Sequence, residues 1–189
     1  MKVEHARIQL LVRLFIAIDL SNDVKESLVR LMVGSKGAKW VARENLHLTL
    51  GFLGEVRENE VQDIDYALKR VRYNPFSLEL GGLDVFSSGR RVRSLWVGII
   101  EKSDVVNLKK RVESALFQIG IESDRRKYIP HVTLARLRGK LSKIPNLYSS
   151  FDLQNRIPVQ VDSFSLFSSY LGRGGAIYSR VFHYPLSKY

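Results

Sequence analysis

Two stretches of the same form, His47-Leu48-Thr49-Leu50 and His131-Val132-Thr133-Leu134, constrain more than any other feature how this 189-residue chain folds. In each, aliphatic residues alternate with polar ones: Leu46, Leu48 and Leu50 against His47 and Thr49, then Pro130, Val132 and Leu134 against His131 and Thr133. A period of two belongs to a half-buried β-strand, so the aliphatic side chains enter a core while imidazole and hydroxyl leave on the opposite face. Thr49 and Thr133 are the only threonines in the chain. With four histidines available, chance places both threonines two residues after a histidine in on the order of a few trials in ten thousand.

The repeated spacing predicts a chemistry. Alternate residues of a strand lie roughly 6.5 to 7 Å apart, so a histidine and a threonine leaning together span one tetrahedral group such as a phosphate. Two such strands facing each other across a cleft supply two imidazoles and two hydroxyls around one phosphorus. In-line displacement there needs a proton removed on one side and delivered on the other, and histidine titrates near the working pH for both tasks. The hydroxyls hold non-bridging oxygens. His5 and His183 have no threonine at this offset and are given no catalytic role. A zinc site is disfavoured, since there is no cysteine and neither phrase has His-x-x-x-His or His-x-x-Glu spacing.

Thirty Lys and Arg against nineteen Asp and Glu leave a formal charge of +11. That balance favours a polyanionic partner through steering and counterion release, and RNA is the expected one. The cations gather at Arg90-Arg91-Val92-Arg93, Lys109-Lys110-Arg111, Arg125-Arg126-Lys127 and from Arg136 to Lys143, the last two flanking the second phrase. No apolar run reaches the eighteen or so residues of a membrane span; the nearest, Ile8 to Leu20, is broken by Gln9, Arg13 and Asp19. Glu4, His5 and Arg7 interrupt any signal-peptide pattern, and the lack of cysteine fits a reducing cytosol, so a cytoplasmic protein is expected.

Strands and helices alternate in two similar halves. Leu14 to Ile18 reads as a buried strand, followed by a helix capped at Ser21-Asn22-Asp23, with Val24, Leu28, Leu31 and Met32 on one face and an end near Gly34. Strands are expected at Trp40 to Ala42 and Leu46 to Leu53, then a helix striped by Val61, Ile64, Leu68 and Val71. Phe76 to Phe86 and Ser94 to Ile100 read as strands, and a third helix from Ser103 carries Val105, Leu108, Val112, Leu116 and Ile119 before Gly120. Pro130 to Leu137, Val159 to Phe167 and Ile177 to Tyr184 complete the strands. Leu171-Gly172-Arg173-Gly174-Gly175 is glycine-rich but lacks the spacing of a nucleotide P-loop, and reads as a mobile turn. Strand-rich halves with helices to one side define an α+β class, and without a low-complexity linker the two halves are expected to pack as one unit.

These residues carry a resemblance. Arg13-Leu14-Phe15-Ile16-Ala17-Ile18, Trp40-Val41, Asn45 through Gly54, Pro130 through Arg136 and Gly175-Ala176-Ile177-Tyr178 together resemble the two-histidine phosphoesterases, and within them the 2′-5′ RNA ligase-like RNA 2′,3′-cyclic phosphodiesterases. The resemblance implies two pseudo-symmetric lobes of antiparallel sheet with helices outside and a central cleft, forming a single bilobal domain over residues 1–189 with 1–12 as an N-terminal extension. It implies His47 as proton donor, His131 as proton acceptor, and Thr49, Thr133 and Arg136 as phosphate ligands. It further implies neither metal nor cofactor, and as partner RNA with 2′,3′-cyclic phosphate ends, tRNA-derived ends among them. Some similar proteins also join or split 2′-5′ linkages. A monomer is expected.

Three positions test that scheme. By strict alternation Arg136 falls with Val132 and Leu134 on the core side, so its implied role requires a bulge, a strand end or a reach around the sheet edge. Phe52 shares the parity of Leu48 and Leu50 and is expected in the core, with stacking on a base as its other use. Arg173 stands where relatives often carry proline, which loosens the turn and adds a charge. Two other functions fit the same residues: a cyclic phosphodiesterase of small nucleotides, and a non-catalytic RNA-binding module.

Overall fold

A computed structural model describes residues 10–32, 38–89, 91–122, 126–140, 156–173 and 175–187. Its strands are β1 (Leu11–Asp19), β2 (Ala38–Trp40), β3 (His47–Arg57), β4 (Phe76–Ser88), β5 (Arg91–Ile99), β6 (His131–Lys140), β7 (Ile157–Val161), β8 (Ser163–Gly172) and β9 (Gly175–Pro185). The helices are α1 (Asn22–Val29), α2 (Val61–Lys69) and α3 (Ser103–Phe117). The strands join in one antiparallel sheet in the order β7-β4-β5-β6-β3-β1-β8-β9, with β2 added against β6.

Reading that order from its centre shows why the two halves look alike. The unit β1-α1-β3 in one half answers β5-α3-β6 in the other: each is an antiparallel strand pair with a helix between, and each second strand begins with a histidine. β8 and β9 extend one side, β4 and β7 the other. The halves meet between β3 and β6 over the single pair Leu48–Val132. The α+β, two-lobed arrangement expected from the alternation is therefore present, curled as a half-barrel with three helices among the described residues.

One face of the sheet is closed by the helices. Val24 and Leu28 of α1, Ile64 and Leu68 of α2, and Val105, Leu108, Val112 and Leu116 of α3 share a core with Leu48, Leu50, Val132 and Leu134. The helix stripes fall where the 3.6-residue period places them. Ser21 caps α1, its hydroxyl accepting from the Val24 amide at 3.4 Å. Leu31, Met32 and Ile119 lie past their helices, and Ile119 is exposed rather than on the buried stripe. The expected end near Gly34 lies outside the described residues.

The expected strand Val159 to Phe167 is two strands, parted at Asp162. Val159 and Val161 are buried on one phase and Phe164 and Leu166 on the other, because the chain leaves β4 and joins β1 at that point. The expected strand at Trp40 to Ala42 is displaced to Ala38–Trp40.

Candidate active site

The face of the sheet away from the helices carries the polar members of both phrases. Leu48 and Val132 are opposite each other and fully buried. Carrying that antiparallel register one residue each way sets His47 against Thr133 and Thr49 against His131. Four side chains thus stand at the corners of a square on one face, roughly 4.5 to 5.5 Å apart at the Cα level across the seam and roughly 6.5 to 7 Å apart along each strand. The two rings lie on one diagonal and feel each other: a charge on His131 opposes protonation of His47.

Each ring is aimed by the same device. As the first residue of its strand, each histidine turns Nδ1 back to the carbonyl two residues earlier, His47 to Asn45 and His131 to Ile129, both at 2.7 Å. A neutral ring donating from Nδ1 leaves Nε2 free toward the cleft. Asn45 is in turn fixed by its side chain, which donates to the Ala176 carbonyl at 2.8 Å. Aromatic walls complete the setting. Phe15 and Tyr178 stand 4.9 and 5.3 Å from the His47 ring, and Phe86 and Trp96 stand 4.8 and 5.5 Å from His131.

Those walls have an electrostatic consequence. Burial strips water from His47 and drives its pKa down to about 4, with Lys25 and His131 adding to the fall and the Asn45 carbonyl and Asp19 opposing it. His131 is lowered as well, first by burial and then by the Arg136 charge, against the Ile129 carbonyl. Both rings are therefore neutral at neutral pH when the cleft holds no anion.

The two positions that strict alternation misplaces are explained by one feature occurring twice. Along β1–β3 the register runs from Ile16–Gly51 to Ala17–Thr49, leaving Leu50 without a partner. Along β5–β6 it runs from Leu95–Ala135 to Trp96–Thr133, leaving Leu134 without one. Each is a β-bulge at the fourth residue of its phrase, and an extra residue there shifts the side-chain parity beyond it. Both leucines stay in the core, at 1% and 0% exposure. Two residues on, Arg136 and Phe52 are delivered to the face of the histidines.

Arg136 is exposed beside Ser94 on that face, the bulge being what its implied role required. Phe52 is not in the core, contrary to expectation: it is 57% exposed and stands 6.1 Å from Phe15, which also touches His47. The bulges leave backbone groups to satisfy. The Leu134 carbonyl accepts from the Val41 amide at 2.8 Å, and the Thr49 carbonyl accepts from the Tyr128 hydroxyl at 2.8 Å.

His183 lies on β9 with Nδ1 3.3 Å from the Ser165 hydroxyl, and His5 is outside the described residues. Arg90, Arg125, Gly174 and residues 141–143 also fall outside them. Among the described residues no group of three or more His, Cys, Asp or Glu is arranged to hold a metal ion, and no helix is long and apolar enough to cross a membrane. Spacing alone did not single out Phe15, Phe86, Trp96 or Tyr128. The signal available for the aromatics was their place on strands neighbouring the phrases.

A cleft with two carbonyl-anchored imidazoles and two hydroxyls converging on one face defines a phosphoesterase with two histidines. Comparison with known proteins agrees. The LigT like phosphoesterase family matches residues 18–96 and again 99–178, one match per half. A Thermotoga maritima protein described as an RNA 2′,3′-cyclic phosphodiesterase is 36% identical over 172 residues, covering 88% of this chain and 91% of its own. One of the same description from Archaeoglobus fulgidus is 30% identical, covering 90% and 99%. Among solved structures, E. coli LigT complexed with 3′-AMP superimposes with a TM-score of 0.80 at 27% identity, covering 95% of this chain and all of that one, 100%. The chain belongs to the LigT-like phosphoesterase family.

Proposed function

We propose that this protein hydrolyses RNA 2′,3′-cyclic phosphate ends to 2′-phosphomonoester ends. The observation that carries the proposal is the square of His47, Thr133, Thr49 and His131 set by the Leu48–Val132 pair. The relatives described as RNA 2′,3′-cyclic phosphodiesterases support it at 29–36% identity. So does the net charge of +11, which suits a nucleic-acid substrate.

The cyclic phosphate sits over the centre of the square, its non-bridging oxygens accepting from the Thr49 and Thr133 hydroxyls and from the Arg136 guanidinium. His131, neutral and flanked by a cation that keeps it so, takes a proton from water through Nε2 as the water attacks phosphorus. The P–O3′ bond breaks, and His47 delivers a proton from its Nε2 to the departing 3′ oxygen, leaving the phosphate on the 2′ oxygen. Proton exchange with solvent resets both rings. His47 must be charged at the start, and the anionic substrate supplies the missing attraction by lying directly against it. Phe52, on the same face, offers a plane on which a base stacks. In this reading the protein acts as a monomer in the cytoplasm, on tRNA-derived ends among others, and 2′-5′ linkages are joined when a 5′ hydroxyl takes the place of water, His131 taking its proton as it attacks phosphorus and His47 protonating the departing 3′ oxygen.

The test is turnover of an oligoribonucleotide ending in a 2′,3′-cyclic phosphate, with the product resolved as 2′- or 3′-phosphate. His47→Ala and His131→Ala are each expected to lower the rate by roughly two to four orders of magnitude, and EDTA to leave it unchanged. Full activity in either variant, or a 3′-phosphate product, overturns the proposal. A mononucleotide cyclic phosphate run in parallel separates an RNA enzyme from one of small nucleotides, and salt-sensitive binding without any product identifies a binding module instead.

A further inference from the structure

The two halves anchor their histidines by the same carbonyl device but set different charges beside them. Directly across β1–β3 from His47 stands Asp19, whereas directly across β5–β6 from His131 stands Gly98. Residues paired across an antiparallel ladder project to the same face, so Asp19 brings a carboxylate to the His47 side of the cleft and nothing answers it on the other side. The carboxylate is held on two sides. It accepts from Lys25 Nζ of α1 at 2.7 Å and from Arg180 Nη2 of β9 at 2.5 Å. Lys25 is only 8% exposed, an unusual depth for an ammonium. Burial alone pushes the Asp19 carboxyl up, but the two cations outweigh it and hold Asp19 ionised, below its ordinary value.

We propose that Asp19 is a positioning residue that assigns the proton-donor role to His47, with Lys25 and Arg180 setting the strength of its field. The proposal rests on the two-histidine reaction described above. The charged and titratable groups around His47 are Asp19 on β1, Lys25 on α1, Tyr178 and Arg180 on β9, and His131 on β6. Asp19 is the one anion among them. Around His131 the charge that acts is the Arg136 cation, which favours the neutral, proton-accepting ring. The nearest charges of the pseudo-symmetric halves thus differ in sign: a carboxylate that keeps the pKa of the deeply buried His47 from falling further, and a guanidinium that reinforces burial at His131. A carboxylate one strand away is worth about one pH unit to an imidazole at the screening typical of a protein surface.

Histidine C2–H resonances followed by NMR through a pH titration in saturating sulfate test this, with His47→Gln used to assign the His47 signal. In Asp19→Asn the His47 midpoint is expected to fall by about one pH unit, since two cations are left without their counter-charge. In Lys25→Met it rises, and in Asp19→Glu it returns toward the parent value, while the His131 midpoint moves by less than about 0.3 unit throughout. Above its midpoint the protonated fraction of His47 drops tenfold per unit, so Asp19→Asn loses about tenfold in kcat at pH 7 to 8 with KM within about twofold. A His47 midpoint that stays fixed in Asp19→Asn, or that moves the same way in Asp19→Asn and Lys25→Met, overturns the proposal. If Asp19→Asn does not fold, a fixed or falling midpoint in Lys25→Met overturns it alone. A parent protein that turns over no cyclic phosphate, yet shows the opposed midpoint shifts, refutes the assigned reaction and not the field of Asp19 on His47.

Discussion

Binding of a doubly charged anion in the cleft is expected to draw a proton from solvent. Burial holds the His47 pKa at about 4 while the cleft carries no anion. At pH 6 that leaves about one ring in a hundred charged, and charging it costs about 2.7 kcal/mol, two units at 1.36 each. An anion lying between the His47 and His131 rings reverses the balance, because its attraction acts in the same dry environment that disfavoured the isolated charge. Sulfate is the probe of choice, since it keeps two charges through this range and has no proton of its own to exchange. Titration calorimetry at pH 6 in three buffers of different ionisation enthalpy measures the uptake directly. About one proton per sulfate is expected from His47, with His131 contributing more as its own lowered pKa is lifted. Affinity is expected to weaken by at least about tenfold per pH unit between pH 5 and 7, tenfold being the signature of the one proton linked to His47 and any excess that of His131. Tight sulfate binding with less than about 0.3 proton taken up refutes the idea that the two rings jointly hold the anion.

Phe52→Ala is expected to leave the denaturation midpoint nearly unchanged, because the ring is 57% exposed, while raising KM for base-bearing cyclic phosphates by about one order of magnitude or more. Tyr128→Phe removes the hydroxyl that donates to the Thr49 carbonyl; a loss of about 1 to 3 kcal/mol in urea denaturation is expected from the unsatisfied carbonyl, together with weaker anion binding. Stability also depends on pH through His47. Its ordinary pKa is 6.5 and its folded value about 4, so the unfolded chain takes up the proton first. The contribution is complete above pH 6.5, declines as pH falls toward 4, and is restored by sulfate; a urea midpoint that is flat across that window in a comparison with His47→Gln removes this account.

The alternation in the two phrases was enough to place His47, Thr49, His131 and Thr133 on one face, because side-chain direction along a strand is a local property. Helix stripes such as Val105, Leu108, Val112 and Leu116 were legible for the same reason. The destinations of Arg136 and Phe52 were not, since a bulge depends on how β3 and β6 register against β1 and β5, and neither partner is near in sequence. The break at Asp162 had a local sign, the change of phase between Val159-Val161 and Phe164-Leu166. Asp19 gave no sign at all. Its importance comes from facing His47 across a ladder whose register is fixed by contacts over the whole of β1.

The paired bulges have a consequence for how such a chain tolerates change. Substituting Leu134 by another aliphatic residue trims the oily interior and little else, and excising it returns β6 to regular pleating with Ala135 in the vacated interior place and Arg136 still on the working surface, whereas inserting one more residue beside it swings Arg136 into hydrocarbon. The same holds for Leu50 and Phe52. Insertions at these two points are thus far more hazardous than single excisions or replacements, and variants drawn from a library in which chain length is free to drift should show almost no added residue between each histidine and the sixth residue of its run.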